Sequence, residues 1–154
     1  MTVPVQLGHV SVPAKDPKQL AAFYRQLLGL EVTMAGSVPG LGEFVFLNER
    51  PQAELPLIAL HTNPQGRHIA LQVESLEALR TVCADAKARG IPVYMALNHR
   101  VSISVYFHDP EGNAVEVFWA TGRKDIDRPY ADPISLEELE RPEGEVLERI
   151  AASA

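Results

Sequence analysis

One cysteine, no long apolar run and no surplus of basic charge remove three classes of protein before any motif is considered. Cys83 is the only thiol, so an internal disulfide framework is excluded. It falls on the apolar side of a predicted helix, where it reads as a small buried hydrophobe rather than a nucleophile. No hydrophobic stretch approaches the roughly 20 residues that span a bilayer. The formal charge of −6 disfavours phosphate backbones and anionic membranes as principal partners. Met1-Thr2-Val3-Pro4 lacks the basic-then-apolar layout of a secretion signal, so a cytoplasmic location is expected. What remains is a chain of 154 residues, 46% hydrophobic, long enough for one domain with a real core.

That chain repeats itself. Leu7-Gly8-His9-Val10-Ser11-Val12 and Arg67-His68-Ile69-Ala70-Leu71-Gln72-Val73 are alternating, strand-like segments, and each leads into an amphipathic helix. The first helix opens at Asp16-Pro17, a cap followed by proline at the first helical position. It places Leu20, Phe23, Tyr24, Leu27 and Leu28 at helical spacing and stops at Gly29. The second opens near Ser75, carries Leu76, Leu79, Val82, Cys83 and Ala86 on one face, and stops at Gly90. Strands are predicted next at Leu30-Glu31-Val32 and Ile91-Pro92-Val93. Two more follow in each copy, at Glu43–Leu47 and Leu57–His61, then at Val101–Phe107 and Ala114–Trp119. The order is βαβββ, twice. Module one covers about residues 5–63, module two about 64–120, and an extension 121–154, all within one domain. Asp109-Pro110-Glu111-Gly112 has the residue preferences of a type I turn. In the extension, Ser135-Leu136-Glu137-Glu138 is a capping-box helix start, which Pro142 and Gly144 are expected to interrupt. Leu136, Leu139, Val146, Leu147 and Ile150 can dock that helix on this subunit or on a neighbour.

Alternation sorts the strand residues into two faces. Val10, Val12, Ile58, Leu60, Ile69, Leu71, Val73, Val115 and Val117 form an apolar set, expected beneath the helices. On the opposite face stand His9 and Ser11, Ala59 and His61, His68, Ala70 and Gln72, Ser102, Ser104 and Tyr106, and Glu116. There the titratable groups are interleaved with small residues, which leaves room for a cleft. Taken singly, a strand histidine is usually a half-buried, hydrogen-bonded residue, and a glutamate between two valines is usually exposed. Taken together, His9 and His68 occupy equivalent places in the two copies, and Glu116 falls where copy one has Ala59. Two imidazoles and one carboxylate are the ligand set of a non-haem Fe(II) or similar divalent ion with open coordination positions.

The pattern resembles the vicinal oxygen chelate superfamily, whose members pair βαβββ modules. The resemblance runs to about Trp119. It implies an α+β fold with a curved, half-barrel-like sheet around a metal cleft, metal ligands at His9, His68 and Glu116, and a homodimer. Glyoxalase I enzymes have a fourth ligand where this chain has Ala59, which disfavours that activity. The stretch from His99-Arg100-Val101-Ser102 through Tyr106-Phe107-His108-Asp109-Pro110-Glu111-Gly112-Asn113-Ala114-Val115-Glu116 resembles the closing motif of type I extradiol, catechol 2,3-cleaving dioxygenases. That likeness implies that His99 and Tyr106 line a substrate site and that His61 serves as acid and base. It also implies an aromatic catechol and O2 as substrates, with Fe(II) as the cofactor and Mn2+ or another divalent ion in its place as the alternative. A two-His-one-Glu set on a six-coordinate ion leaves three adjacent positions, enough for both catechol oxygens and O2. Fosfomycin-resistance thiol transferases share the Tyr-x-x-Asp-Pro turn and the three ligands. A thiol transferase, isomerase or epimerase is therefore the alternative, together with a metal-free drug-binding protein of the bleomycin-resistance type. His108 reads as an exposed turn residue.

Overall fold

The computed structural model describes residues 3–124 and 129–152; the N-terminal Met1-Thr2, part of the charged segment after Trp119 and the last two residues lie outside it. It divides into two compact units, Gly8–Ala70 and a second made of Met1–Leu7 with Leu71–Ala154. The class is α+β, and the order βαβββ occurs twice.

The first unit takes in β1 (Gln6–Pro13) from Gly8 onward, then α1 (Pro17–Leu28), β2 (Glu31–Val38), β3 (Gly42–Asn48) and β4 (Ile58–His61). Asp16 caps α1, its Oδ1 accepting the Gln19 N–H at 2.9 Å, and Pro17 occupies the first turn where its missing N–H costs nothing. Gly29 ends the helix in the left-handed region at φ 70°, which a residue with a Cβ adopts only under strain. The strand order is β2-β3-β4-β1, antiparallel except for the parallel β1/β4 pair. Ala21, Leu30, Val45, Leu47, Ile58 and Leu60 form the core, with Val10, Val12, Leu20 and Tyr24 against it. Phe23, Leu27 and Leu28 do not join them: they are 52, 64 and 60% exposed. The inward stripe of a 12-residue helix is already filled by Leu20, Ala21 and Tyr24.

Strand β5 (His68–Val73) begins in the first unit and runs into the second. There follow α2 (Leu76–Ala88), β6 (Met95–Asn98), β7 (Ser102–His108), β8 (Ala114–Ala120), β9 (Asp132–Pro133), α3 (Leu136–Leu139) and α4 (Glu143–Ala152). Ser75 caps α2 through the Ala78 N–H at 3.1 Å. Strands run β8-β7-β6-β9. The core gathers Val73, Leu76, Leu79, Ile103, Val105 and Val117 with Leu139, Val146 and Ile150 of the extension, so the extension docks on its own chain. Arg80 of α2 fastens it, donating from Nε to the Leu139 carbonyl at 2.7 Å and from a terminal nitrogen to the Arg141 carbonyl.

Four details differ from the sequence reading. The strand expected at Ile91–Val93 starts instead at Met95, because Pro92 has no N–H for a ladder; the first bond is Tyr94 N–H to the Tyr106 carbonyl. Pro142 does separate α3 from α4, whereas Gly144 sits inside the first turn of α4 and interrupts nothing. Ile69 is half exposed rather than beneath a helix, since the core under α2 gathers at the Val73 end of the strand. Strand β9 carried no periodic signal: two residues pair with β6 through Leu97↔Pro133 and Asn98↔Asp132. Cys83 packs against the core, and burial, with Glu140 adding to it, pushes its thiol up to about 11. Among the described residues no helix is long and apolar enough to cross a membrane.

Candidate functional site

Each unit presents its own polar cluster. In the first, His9 projects from β1 and His68 from the start of β5, and their Nε2 atoms meet at 3.1 Å with the rings edge to face at 75°. His68 Nδ1 donates to the Gly66 carbonyl at 2.8 Å, so in the neutral ring the Nε2 lone pair is the one turned toward His9. Two nitrogens each about 2.1 Å from one octahedral ion, at right angles, stand about 3.0 Å apart. The observed separation therefore suits two adjacent ligands of a single divalent ion. The carbonyl behind His68 is the kind of outer partner that orients ligating histidines.

His61 ends β4 and is fully buried, at 0% exposure. Its Nε2 shares a 2.7 Å hydrogen bond with Ser11 Oγ, which alternation along β1 places on the same face as His9. Burial, seconded by the charge of His68, lowers the His61 pKa from 6.5, while backbone contacts at Gly66 and Asn63 oppose the shift. The ring is thus neutral at physiological pH, with a lone pair available to take a proton.

In the second unit, Glu116 on β8 is buried at 2% exposure and accepts a 2.5 Å hydrogen bond from Ser104 Oγ on β7. Tyr106 stands directly across the ladder from Glu116. Burial, and then the Glu116 charge, pushes the Tyr106 phenol far above its usual range, so it stays protonated and can only donate or accept as a hydroxyl. The β6–β7 hairpin carries His99 to it. Asn98 Oδ1 accepts the Arg100 N–H at 2.8 Å, and Arg100 takes φ 65°, the one described non-glycine residue with positive φ. His99 Nδ1 donates to the Tyr130 carbonyl, which leaves Nε2 of the neutral ring to accept from the Tyr106 hydroxyl at 3.0 Å. The extension thereby fixes the orientation of His99. Arg100 lies 3.6 Å over the Tyr130 ring, holding that crossing segment in place.

The structure thus brings His9 to His68, and His99 to Tyr106, and sets Glu116 opposite Tyr106. His61 is tied to Ser11. His108 is exposed and stacks on Tyr94 at 4.1 Å. The Asn113 side chain, followed by the backbone N–H groups of Asn113 and Glu111, donates to Asp109 and lowers its pKa, and the role of Asp109 is the turn itself. Four residues escaped the sequence reading as participants: Ser11, Ser104, Gly66 and Tyr130. The two serines had a signal, being small polar residues on the same faces as the titratable groups. Tyr130 had none, since it lies 31 residues from His99.

Comparison with known proteins follows the same lines. No curated protein matches the chain in sequence. Among solved structures it is similar to a catechol 2,3-dioxygenase, with TM-score 0.60 and 22% identity over 84% of this chain and 46% of that one. It is also similar to the 2,2',3-trihydroxybiphenyl 1,2-dioxygenase of Sphingomonas wittichii strain RW1, with TM-score 0.61 and 23% identity over 85% and 44%. Against the methylmalonyl-CoA epimerase of Streptomyces coelicolor the TM-score is 0.60 and the identity 17%, over 81% of this chain and 100% of the epimerase. The chain spans about half the length of the dioxygenases it matches. At these identities the likeness shows the fold alone. The sequence profile of one family matches residues 6–117, most of the chain and both modules, and the protein therefore belongs to the Glyoxalase/Bleomycin resistance protein/Dioxygenase superfamily.

Proposed function

We propose that the protein is a metal-dependent extradiol dioxygenase that cleaves a catechol-type aromatic with O2, with Fe(II) held by His9, His68 and Glu116. The observation that carries this reading is the His9–His68 pair, whose 3.1 Å separation and carbonyl-fixed tautomer suit adjacent ligands of one ion. Glu116 supplies the carboxylate, already oriented by Ser104. A divalent cation in this set would favour the catecholate anion and bring ring and O2 together.

The remaining roles belong to the chain's own side chains. The His61 ring, neutral because it is buried, takes the proton released by a catechol hydroxyl and later returns it. Ser11 Oγ holds that ring in place. The Tyr106 hydroxyl, kept protonated, would turn its one proton from His99 Nε2 toward negative charge developing on a substrate oxygen. His99 Nε2, whose orientation is set by the Tyr130 carbonyl, holds Tyr106 in position. The product is a ring-opened muconic semialdehyde-type acid. The homodimer and the cytoplasmic location belong to the same reading.

One observation favours a second reading, an epimerase or isomerase on the same scaffold: the whole of the methylmalonyl-CoA epimerase chain is covered, whereas the dioxygenases are twice as long. Anaerobic loading with Fe(II), metal analysis and exposure to a panel of catechols under O2 separate the two. Oxygen uptake with a ring-opened product is the expected result. A bound ion with no O2 uptake on any catechol, but activity with Mn2+ or another ion, would replace it with the second reading. Failure to bind any divalent ion would sink both and leave metal-free drug binding.

A further inference from the structure

We propose that Gly66 is the positioning residue that couples the proton-handling His61 to the metal ligand His68; the inference deepens the metal reading above and rests on it. The turn from Asn63 to Gly66 has asparagine first, proline second and glycine fourth, the preferences of a type I turn. It closes through the Gly66 N–H to the Asn63 carbonyl at 3.2 Å and the Gln65 N–H to Asn63 Oδ1 at 3.0 Å. Asn63 is itself anchored, its Nδ2 donating to the Gly40 carbonyl at 3.0 Å.

This anchored turn presents Gly66 to two histidines at once. Its carbonyl accepts the His68 Nδ1–H at 2.8 Å, which turns the Nε2 lone pair toward His9. Gly66 also leaves space that the His61 ring fills: a Cβ built there would stand 2.5 Å from His61 Cε1, 3.0 Å from Nε2 and 3.2 Å from Nδ1. His61 has no room to retreat, because it is fully buried and bonded to Ser11 at 2.7 Å. Glycine is required here for space. Any larger residue must push the His61 ring off Ser11 or draw the carbonyl away from His68. The proton-accepting ring and the ligand tautomer are therefore held by one backbone unit, and a shift in either is felt by the other.

Gly66→Ala tests this with two readouts, neither of them activity. The first is the ring-nitrogen NMR spectrum of the metal-free protein, which reports the His68 tautomer directly. The wild type should show His68 with the proton on Nδ1, and Gly66→Ala a mixture of tautomers. The second is the affinity for Mn2+ followed by electron paramagnetic resonance, expected to fall about 10- to 100-fold, the size usual for loss of an outer partner of a metal-bound histidine. Because the steric cause is the His61 ring, adding His61→Ala to Gly66→Ala should restore both readouts to those of His61→Ala alone. The double variant also serves if Gly66→Ala fails to fold, since it removes the clash. A Gly66→Ala protein with wild-type tautomer and Mn2+ affinity overturns the proposal. So does a double variant that recovers neither readout. If the wild type binds no Mn2+, the metal reading falls while the tautomer measurement still decides the role of Gly66.

Discussion

The two βαβββ modules share a pleat register and differ in the chemistry hung on it. His9 and His68 begin them 59 residues apart, and the helix caps Asp16 and Ser75 keep the same offset. In the last two strands of module one, Phe44 faces His61 and Phe46 faces Ala59; in module two, Ser104 faces Phe118 and Tyr106 faces Glu116. Each polar side chain of these pairs thus has an apolar counterpart in the other module. Module one keeps a buried histidine across the ladder from Phe44, whose ring lies 4.9 Å from that of Phe46. Module two keeps the carboxylate with its serine and tyrosine. The backbone order and the first-strand imidazoles recur in both halves, whereas the buried histidine stands in one and the buried carboxylate in the other.

The largest effect on metal binding expected from breaking that division is at Glu116. Glu116→Ala leaves module two as apolar at this place as Ala59 leaves module one. It should lower divalent-metal affinity more than 100-fold by calorimetry, or about 2.7 kcal/mol. His61→Ala should keep the ion and lose turnover. Normal iron binding by Glu116→Ala would show that the carboxylate is no ligand.

The helices differ in what covers them, and this gives the next effect. On α2, Leu79 is fully buried, and the extension joins the same core through Leu139, Val146 and Ile150. On α1, Leu27 is 64% exposed. Leu79→Ala should cost about 2–5 kcal/mol in chemical denaturation, and Leu27→Ala less than about 0.5 kcal/mol. A larger Leu27→Ala penalty that grows with protein concentration would reveal a second copy of the chain seated on α1.

Those differences mark the boundary of what one sequence discloses. The caps at Asp16, Ser75 and Ser135 were legible because each is a local hydrogen bond, and all three are made. The βαβββ order and the alternation that sets His9, Ser11, His68 and Glu116 apart from the valines were legible because both are periodic. The bare side of α1 was not: helical spacing of Phe23 and Leu27 says that they share a flank, while cover depends on contacts distant in sequence. Tyr130 reaching His99, and the space Gly66 leaves for His61, are likewise tertiary facts with no local trace.

Tyr106→Phe sharpens the comparison further, since it copies Phe46 into module two. It removes the hydroxyl that donates to His99 Nε2. The expected loss is about 1 kcal/mol, the net worth of one such bond, read as a lower denaturation midpoint at unchanged slope. A more stable variant would mean that the buried phenol costs more than its bonds return.

The smallest effect is a slope. The folded-state pKa of His61 lies below its ordinary 6.5, so as pH falls the unfolded chain takes up this proton first. The contribution of His61 to stability is whole above about pH 6.5. It is lost as pH drops from there toward the folded value, and it does not change further below that value. One proton bounds the slope at about 1.4 kcal/mol per pH unit. His61→Phe, which copies Phe118 into module one, should flatten this part of the acid limb in the metal-free protein, whatever it does to absolute stability. The reciprocal Phe118→His buries a new imidazole at a place 1% exposed and should steepen the same limb. Opposite changes from the two swaps would assign the titration to this one place in the register. If His61→Phe left the acid limb unchanged, the buried ring would not be the group whose protonation opposes folding.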